Sequence, residues 1–182
     1  GHYTTNIFFY SIYKSPWEDY LFELNMFPDT TQIDSQGTLN IGGCNTLELA
    51  NEYGTPLYLF DEDTIRNRCR SFVQEFQKRA PGTQVVYASK AYINPTLVRL
   101  LAEEGLGLDV VSGGELAVAI AGDLPPSQVY FHGNNKTPQE LKEAVQQGIG
   151  RIVVDSFHEL HLLDGIAAEL GKTQDILIRV SP

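Results

Sequence analysis

The sequence predicts an α/β fold, a parallel-stranded (β/α)8 TIM-type barrel that is incomplete in this chain. Three observations carry that prediction. Short apolar runs alternate with longer amphipathic stretches, which demands a parallel sheet with right-handed crossovers. The runs are continuous rather than every-second-residue, as expected of strands covered on both faces. The strand–helix unit recurs roughly every 21 to 27 residues, tight for a doubly wound sheet and comfortable for a barrel. A complete barrel takes about 250 residues. The 182 residues here supply only about six strands.

The elements follow in order. Residues 1–40 form an N-terminal extension to which no function is assigned. Its Ile7–Tyr13 run is apolar but too short to span a bilayer, and it lacks the basic start and cleavage site of a secretory signal. Trp17, Tyr20, Phe22 and Phe27 are aromatics available for packing. Residues 41–182 form the barrel portion. Thr46–Tyr53 reads as a short helix ended by Gly54, Leu57–Phe60 as the first strand, and Thr64–Arg79 as a long helix ended by Pro81-Gly82. Gln84–Ala88 is a strand, with Val85 and Val86 favouring the pleated conformation. Asn94 caps the helix Pro95–Glu104, and Pro95 fits its first position, where the missing N–H would be unpaired anyway. The strands Leu108–Val111, Val129–Phe131, Arg151–Val154 and Ile176–Val180 are separated by helices at Gly114–Ala121, Pro138–Gln147 and Phe157–Leu170. Ser112 with Glu115, Thr137 with Glu140, and Ser156 with Glu159 match the S/T-x-x-E capping box. Gly105, Gly148 and Gly171 supply C-terminal caps.

Composition narrows the function. Hydrophobic residues at 42% and charged ones at 20% describe a soluble globular chain, with no membrane segment. A net charge of −10 repels phosphates and disfavours nucleic acid as a partner. Two cysteines, Cys44 and Cys69, are too few for a disulfide framework; they read as buried small hydrophobes and fit a cytoplasmic location.

Chemistry in such a fold gathers just past the strand C-termini. Those positions are Asp61, Lys90, Ser112–Glu115, His132–Lys136, Asp155 and Ser181, with Asp109 and Arg179 inside strands. Lys90 ends an apolar strand and sits between apolar walls. A partly desolvated lysine loses preference for the ammonium form, and the neutral amine can form a Schiff base with a carbonyl compound, pyridoxal phosphate included. A lysine at a strand end also reads as a snorkelling side chain. Glu115 is explained by helix capping alone, Arg179 by pairing with an acid, and His132 by a structural role. Other motifs fall away. Gly105-Leu106-Gly107 does not continue into G-x-G-x-x-G, and no phosphate-binding P-loop occurs. His158 and His161 stand three apart rather than four, as helix-surface residues, and no metal site is expected.

Tyr87-Ala88-Ser89-Lys90-Ala91 resembles the Y-A-x-K-A lysine motif of the fold-type III pyridoxal-phosphate enzymes, whose barrel is of the alanine-racemase-like kind. Asp109–Leu116, His132–Thr137, Pro56-Leu57-Tyr58 before Asp61, and Ile178–Pro182 resemble signatures of one branch, the diaminopimelate decarboxylases. Tyr92 is a departure, since asparagine often directly follows K-A in the family. The resemblance implies decarboxylation of meso-2,6-diaminoheptanedioate to L-lysine, with an amino-acid substrate as small-molecule partner. It implies that Lys90 carries pyridoxal 5'-phosphate and later serves in proton transfer, and that Asp109, Glu115, His132 and Arg179 surround the cofactor. It further implies that later barrel strands, a C-terminal β domain and a homodimer complete the site, so this chain alone is expected to have little or no activity. Ornithine or arginine decarboxylases, racemases, and a non-catalytic cofactor-binding fragment are the alternative readings.

Overall fold

The computed structural model describes residues 26–180. The Ile7–Tyr13 run, Trp17, Tyr20, Phe22 and the expected rim position Ser181 lie outside the described residues. The chain divides into two compact units, one ending at Ile65 and one beginning at Arg66.

In the first unit, β1 (Gln32–Ile33), β2 (Leu39–Ile41) and β3 (Cys44–Asn45) form a small antiparallel meander. The Asn45 side chain accepts hydrogen bonds from the Leu47 and Glu48 amides and so starts α1 (Thr46–Tyr53), while Gly54 ends it, as the sequence predicts. Asp61 is buried and accepts from the Thr64 amide at 3.2 Å, capping α2 (Glu62–Arg79). It therefore serves a helix start where a rim position was expected.

The predicted strand at Leu57–Phe60 does not form. No ladder among the described residues includes it, and its side chains stay exposed, Tyr58 at 89%. An apolar run becomes a strand only where a neighbour takes up its backbone hydrogen bonds, so the sheet has five strands rather than about six. Cys44, expected inside, is exposed, whereas Cys69 is buried.

The second unit is built on a five-stranded parallel sheet: β4 (Val86–Ala88), β5 (Gly107–Val110), β6 (Val129–Phe131), β7 (Arg151–Val154) and β8 (Ile176–Ile178). Spatial order equals chain order. A doubly wound sheet reverses direction at a switch point; here every right-handed crossover repeats in one sense, which puts α3 (Pro95–Glu103), α4 (Gly113–Ala121), α5 (Pro138–Gln147) and α6 (Phe157–Leu170) on one face. This is the winding of a (β/α)8 barrel, present as an unclosed arc.

The core lies between that face and the helices. Leu108, Val110, Phe131 and Ile152 have no exposed surface, and Val98, Leu101, Leu141 and Val145 meet them from the helices. Each fully buried side chain of this size contributes about 1.5–3 kcal/mol. The opposite face carries one row of register partners, Ala88, Asp109, Tyr130 and Arg151. There the Tyr130 hydroxyl donates to Gln84 at 2.8 Å and accepts from Arg151 at 3.0 Å. Ion pairs also join α2 to the end of α3: Arg70 grips Glu104 bidentately, with both links at 2.7 Å, and Arg66 reaches the same carboxylate at 2.9 Å and Glu103 at 2.7 Å.

Glycines appear where backbone geometry requires them. Gly148 ends α5 in the left-handed conformation at φ 70°. At Gly150 a Cβ would collide with the Ser127 carbonyl, so the turn into β7 admits no side chain.

Candidate active site at the strand ends

All three predicted helix-start hydroxyls act as predicted: Ser112, Thr137 and Ser156 each accept the amide of the glutamate three residues on. Only Thr137 and Glu140 close a reciprocal box. Glu115 and Glu159 reach one residue further back, to the Val111 and Asp155 amides. The carboxylates at the strand ends therefore hold the loops as well as the helices. Glu140 spans two loops, since its Oε1 also accepts from the Gly113 amide at 2.8 Å.

Lys90 lies in a single 3-10 turn, Ser89–Ala91, that directly follows β4. The turn is bracketed by the Tyr87 hydroxyl, which donates to the Tyr92 carbonyl at 2.9 Å. Asn94 donates to the Tyr92 hydroxyl and caps α3 through the Leu97 amide, as its sequence position predicts. The Lys90 side chain is exposed, not walled in. The reason is topological: among the described residues β4 has a sheet neighbour only on its β5 side.

Asp109 and His132, from β5 and the end of β6, approach to 3.7 Å between Oδ1 and Nε2, too long for a hydrogen bond. Asp109 Oδ1 is buried and has no hydrogen-bond partner. Burial holds the Asp109 carboxyl above its ordinary range; His132 opposes that shift, Glu115 reinforces it and Lys90 opposes it. Lys90, Asp109, Glu115 and His132 thus share one electrostatic neighbourhood. Arg179 stands apart from it, just beyond β8, where Nη1 pairs with Asp155 Oδ1 at 3.1 Å and the side chain is half exposed. That is the acid-paired arrangement anticipated as its structural role.

Lys136, expected only as one of the rim positions, has a side chain that is 1% exposed. Its ammonium donates to the Gly133 carbonyl at 2.6 Å and the Val153 carbonyl at 2.8 Å. It also pairs with Glu159 at 2.8 Å and lies 5.9 Å from the centre of the Phe131 ring. Only the capping motif around Glu159 hinted at this. No metal-ligating cluster occurs among the described residues, and His158 and His161 are exposed on α6.

An unclosed arc of (β/α)8 winding, with an accessible lysine, an acid and an imidazole at its strand ends, defines a protein of the parallel α/β barrel class. Residues 62–182 match the family described as "Pyridoxal-dependent decarboxylase, pyridoxal binding domain", and the chain belongs to that family. It is 49% identical over 156 residues to diaminopimelate decarboxylase of Bacillus methanolicus, covering 86% of this chain and 36% of that protein. To the Bacillus subtilis (strain 168) protein of the same name it is 47% identical over 153 residues, or 84% and 35%. The crystal structure of diaminopimelate decarboxylase from M. jannaschii superposes with a TM-score of 0.77 at 37% identity, over 85% of this chain and 36% of that one. The chain spans about a third of the length of the curated relatives it matches.

The cofactor of the family is pyridoxal phosphate. The residues present fit it: an exposed primary amine for its aldehyde, and an acid whose buried Oδ1 has unused acceptor capacity beside an imidazole.

Proposed function

We propose that residues 41–182 are the N-terminal part of a pyridoxal-phosphate-dependent decarboxylase that converts meso-2,6-diaminoheptanedioate to L-lysine, with residues 1–40 as an extension. The observation that carries this reading is the 49% identity to a protein of that name, over a stretch that includes Lys90 and its strand-end neighbours. The His132-Gly133-Asn134-Asn135-Lys136 loop favours this substrate over ornithine or arginine.

In this reading Lys90, an accessible amine on a turn stapled by Tyr87 and Tyr92, would hold the cofactor through its aldehyde. The bound cofactor supplies a conjugated ring that accepts the electron pair released when the Cα–carboxylate bond breaks. Once displaced from the cofactor by the substrate amine, Lys90 Nζ would be free to return a proton to the carbon that has lost its carboxylate. Asp109 and Glu115 set the field around Lys90 and the ring, and His132 lies beside them and favours the charged form of Asp109. Arg179, oriented by Asp155, positions the ring from the β8 side. Two free cysteines support a reducing, cytoplasmic setting. The active form is a full-length homodimer, and this chain alone has little or no turnover.

The test uses the full-length gene product loaded with pyridoxal phosphate. Release of CO₂ from meso-2,6-diaminoheptanedioate in preference to ornithine or arginine, and borohydride labelling that maps to Lys90, are the expected results. Labelling of a different lysine, or preference for another amino acid, overturns the assignment.

A further inference from the structure

Glu159 faces two ways. One carboxylate oxygen, Oε2, accepts from the Asp155 amide at 3.3 Å, and the other, Oε1, lies 2.8 Å from Lys136 Nζ. The second approach is off the ideal hydrogen-bond direction, so it is a charge pairing more than a directed bond. Both side chains are buried, at 1% and 8% exposure. Lys136 in turn holds the Gly133 carbonyl, the residue after His132, and the Val153 carbonyl near the end of β7. Asp155, at the far end of the same chain of contacts, is the partner of Arg179.

We propose that Lys136 and Glu159 form a buried positioning pair that couples the loop after β6, which carries His132, to the loop after β7, which orients Arg179 through Asp155. A buried pair is poor evidence of added stability, because apolar side chains of similar volume often serve as well. Here its three further backbone links, to Gly133, Val153 and Asp155, join the two strand-end segments that flank the proposed cofactor position. Apolar replacements would fill the same space but make none of those links.

The inference rests on the proposed cofactor site, and the experiment separates the two. In the full-length holoenzyme, the unfolding midpoint in urea and the cofactor dissociation constant, from the visible absorbance of lysine-bound pyridoxal phosphate, are measured for four variants. Lys90→Ala abolishes that absorbance if the site is assigned correctly; its persistence overturns the site itself, and the positioning role with it. Lys136→Met lowers the midpoint by stranding the Glu159 charge. The double variant Lys136→Met/Glu159→Leu recovers the midpoint, yet its cofactor dissociation constant stays roughly tenfold above wild type, the scale seen when groups that orient a binding residue are lost. Glu159→Gln is the same size but has one acceptor for two donors, so it weakens binding while remaining folded, and it stands as the test if the double variant does not fold. Wild-type cofactor affinity in Glu159→Gln, or recovery of affinity together with stability in the double variant, makes the pair purely structural and overturns the positioning role.

Discussion

The buried Oδ1 of Asp109 lies 3.7 Å from Nε2 of His132 and accepts no hydrogen bond, so the two side chains interact through their charges alone. That relationship makes Asp109 responsive to its neighbours. Replacing His132 with glutamine removes the influence that opposes burial and raises the Asp109 carboxyl further; replacing Glu115 with glutamine lowers it. Carboxyl-carbon NMR titration of the two variants reads both shifts.

A raised carboxyl also changes stability with pH. The folded protein keeps a proton on Asp109 that the unfolded chain releases near its ordinary value of 3.8. Its contribution is fully present below that value and is lost as pH rises through the higher folded-state value. Asp109→Asn therefore stabilises the protein at neutral pH, by less than about 1 kcal/mol once solvent screening is allowed for. Urea unfolding at pH 4 and pH 7 checks this, with a gain confined to the higher pH.

Glu140 shifts the opposite way. The backbone amides of Thr137 and Gly113, followed by the Thr137 hydroxyl, hold its carboxyl below the ordinary range. Its contribution is present above the unfolded value and is lost as pH falls through the lowered one. Glu140→Gln flattens the acid limb of the stability curve. Thr137→Ala, which removes the cap hydroxyl, costs about 0.5–2 kcal/mol.

Two packing variants probe the sheet. Gly150→Ala drives a methyl group into the Ser127 carbonyl and costs about 1–3 kcal/mol through backbone displacement. Phe131→Ala empties a fully buried site and costs about 3–5 kcal/mol. A Gly150→Ala protein with an unchanged thermal midpoint would contradict the close approach of Gly150 to the Ser127 carbonyl.

Local signals in the chain were sufficient for most of the architecture. Periodicity placed α3, α5, β6, β7 and α6 to within a residue, because each helix has its own side-chain cap and stopping glycine or glutamate. The motif around Lys90 was legible for the same reason, since a strand, a turn and an Asn-Pro helix start are contiguous in sequence. Other features depended on partners distant along the chain. Among the described residues Leu57–Phe60 has strand-like residues but no ladder, and Lys90 is exposed because β4 has one neighbour, which no local pattern encodes. The burial of Lys136 against Glu159, 23 positions later by their numbering, follows only once α5 and α6 pack side by side on the sheet. Backbone preference and capping act over a few residues and can be read in one dimension. Pairing, burial and charge proximity act across space, and folding alone brings those groups together.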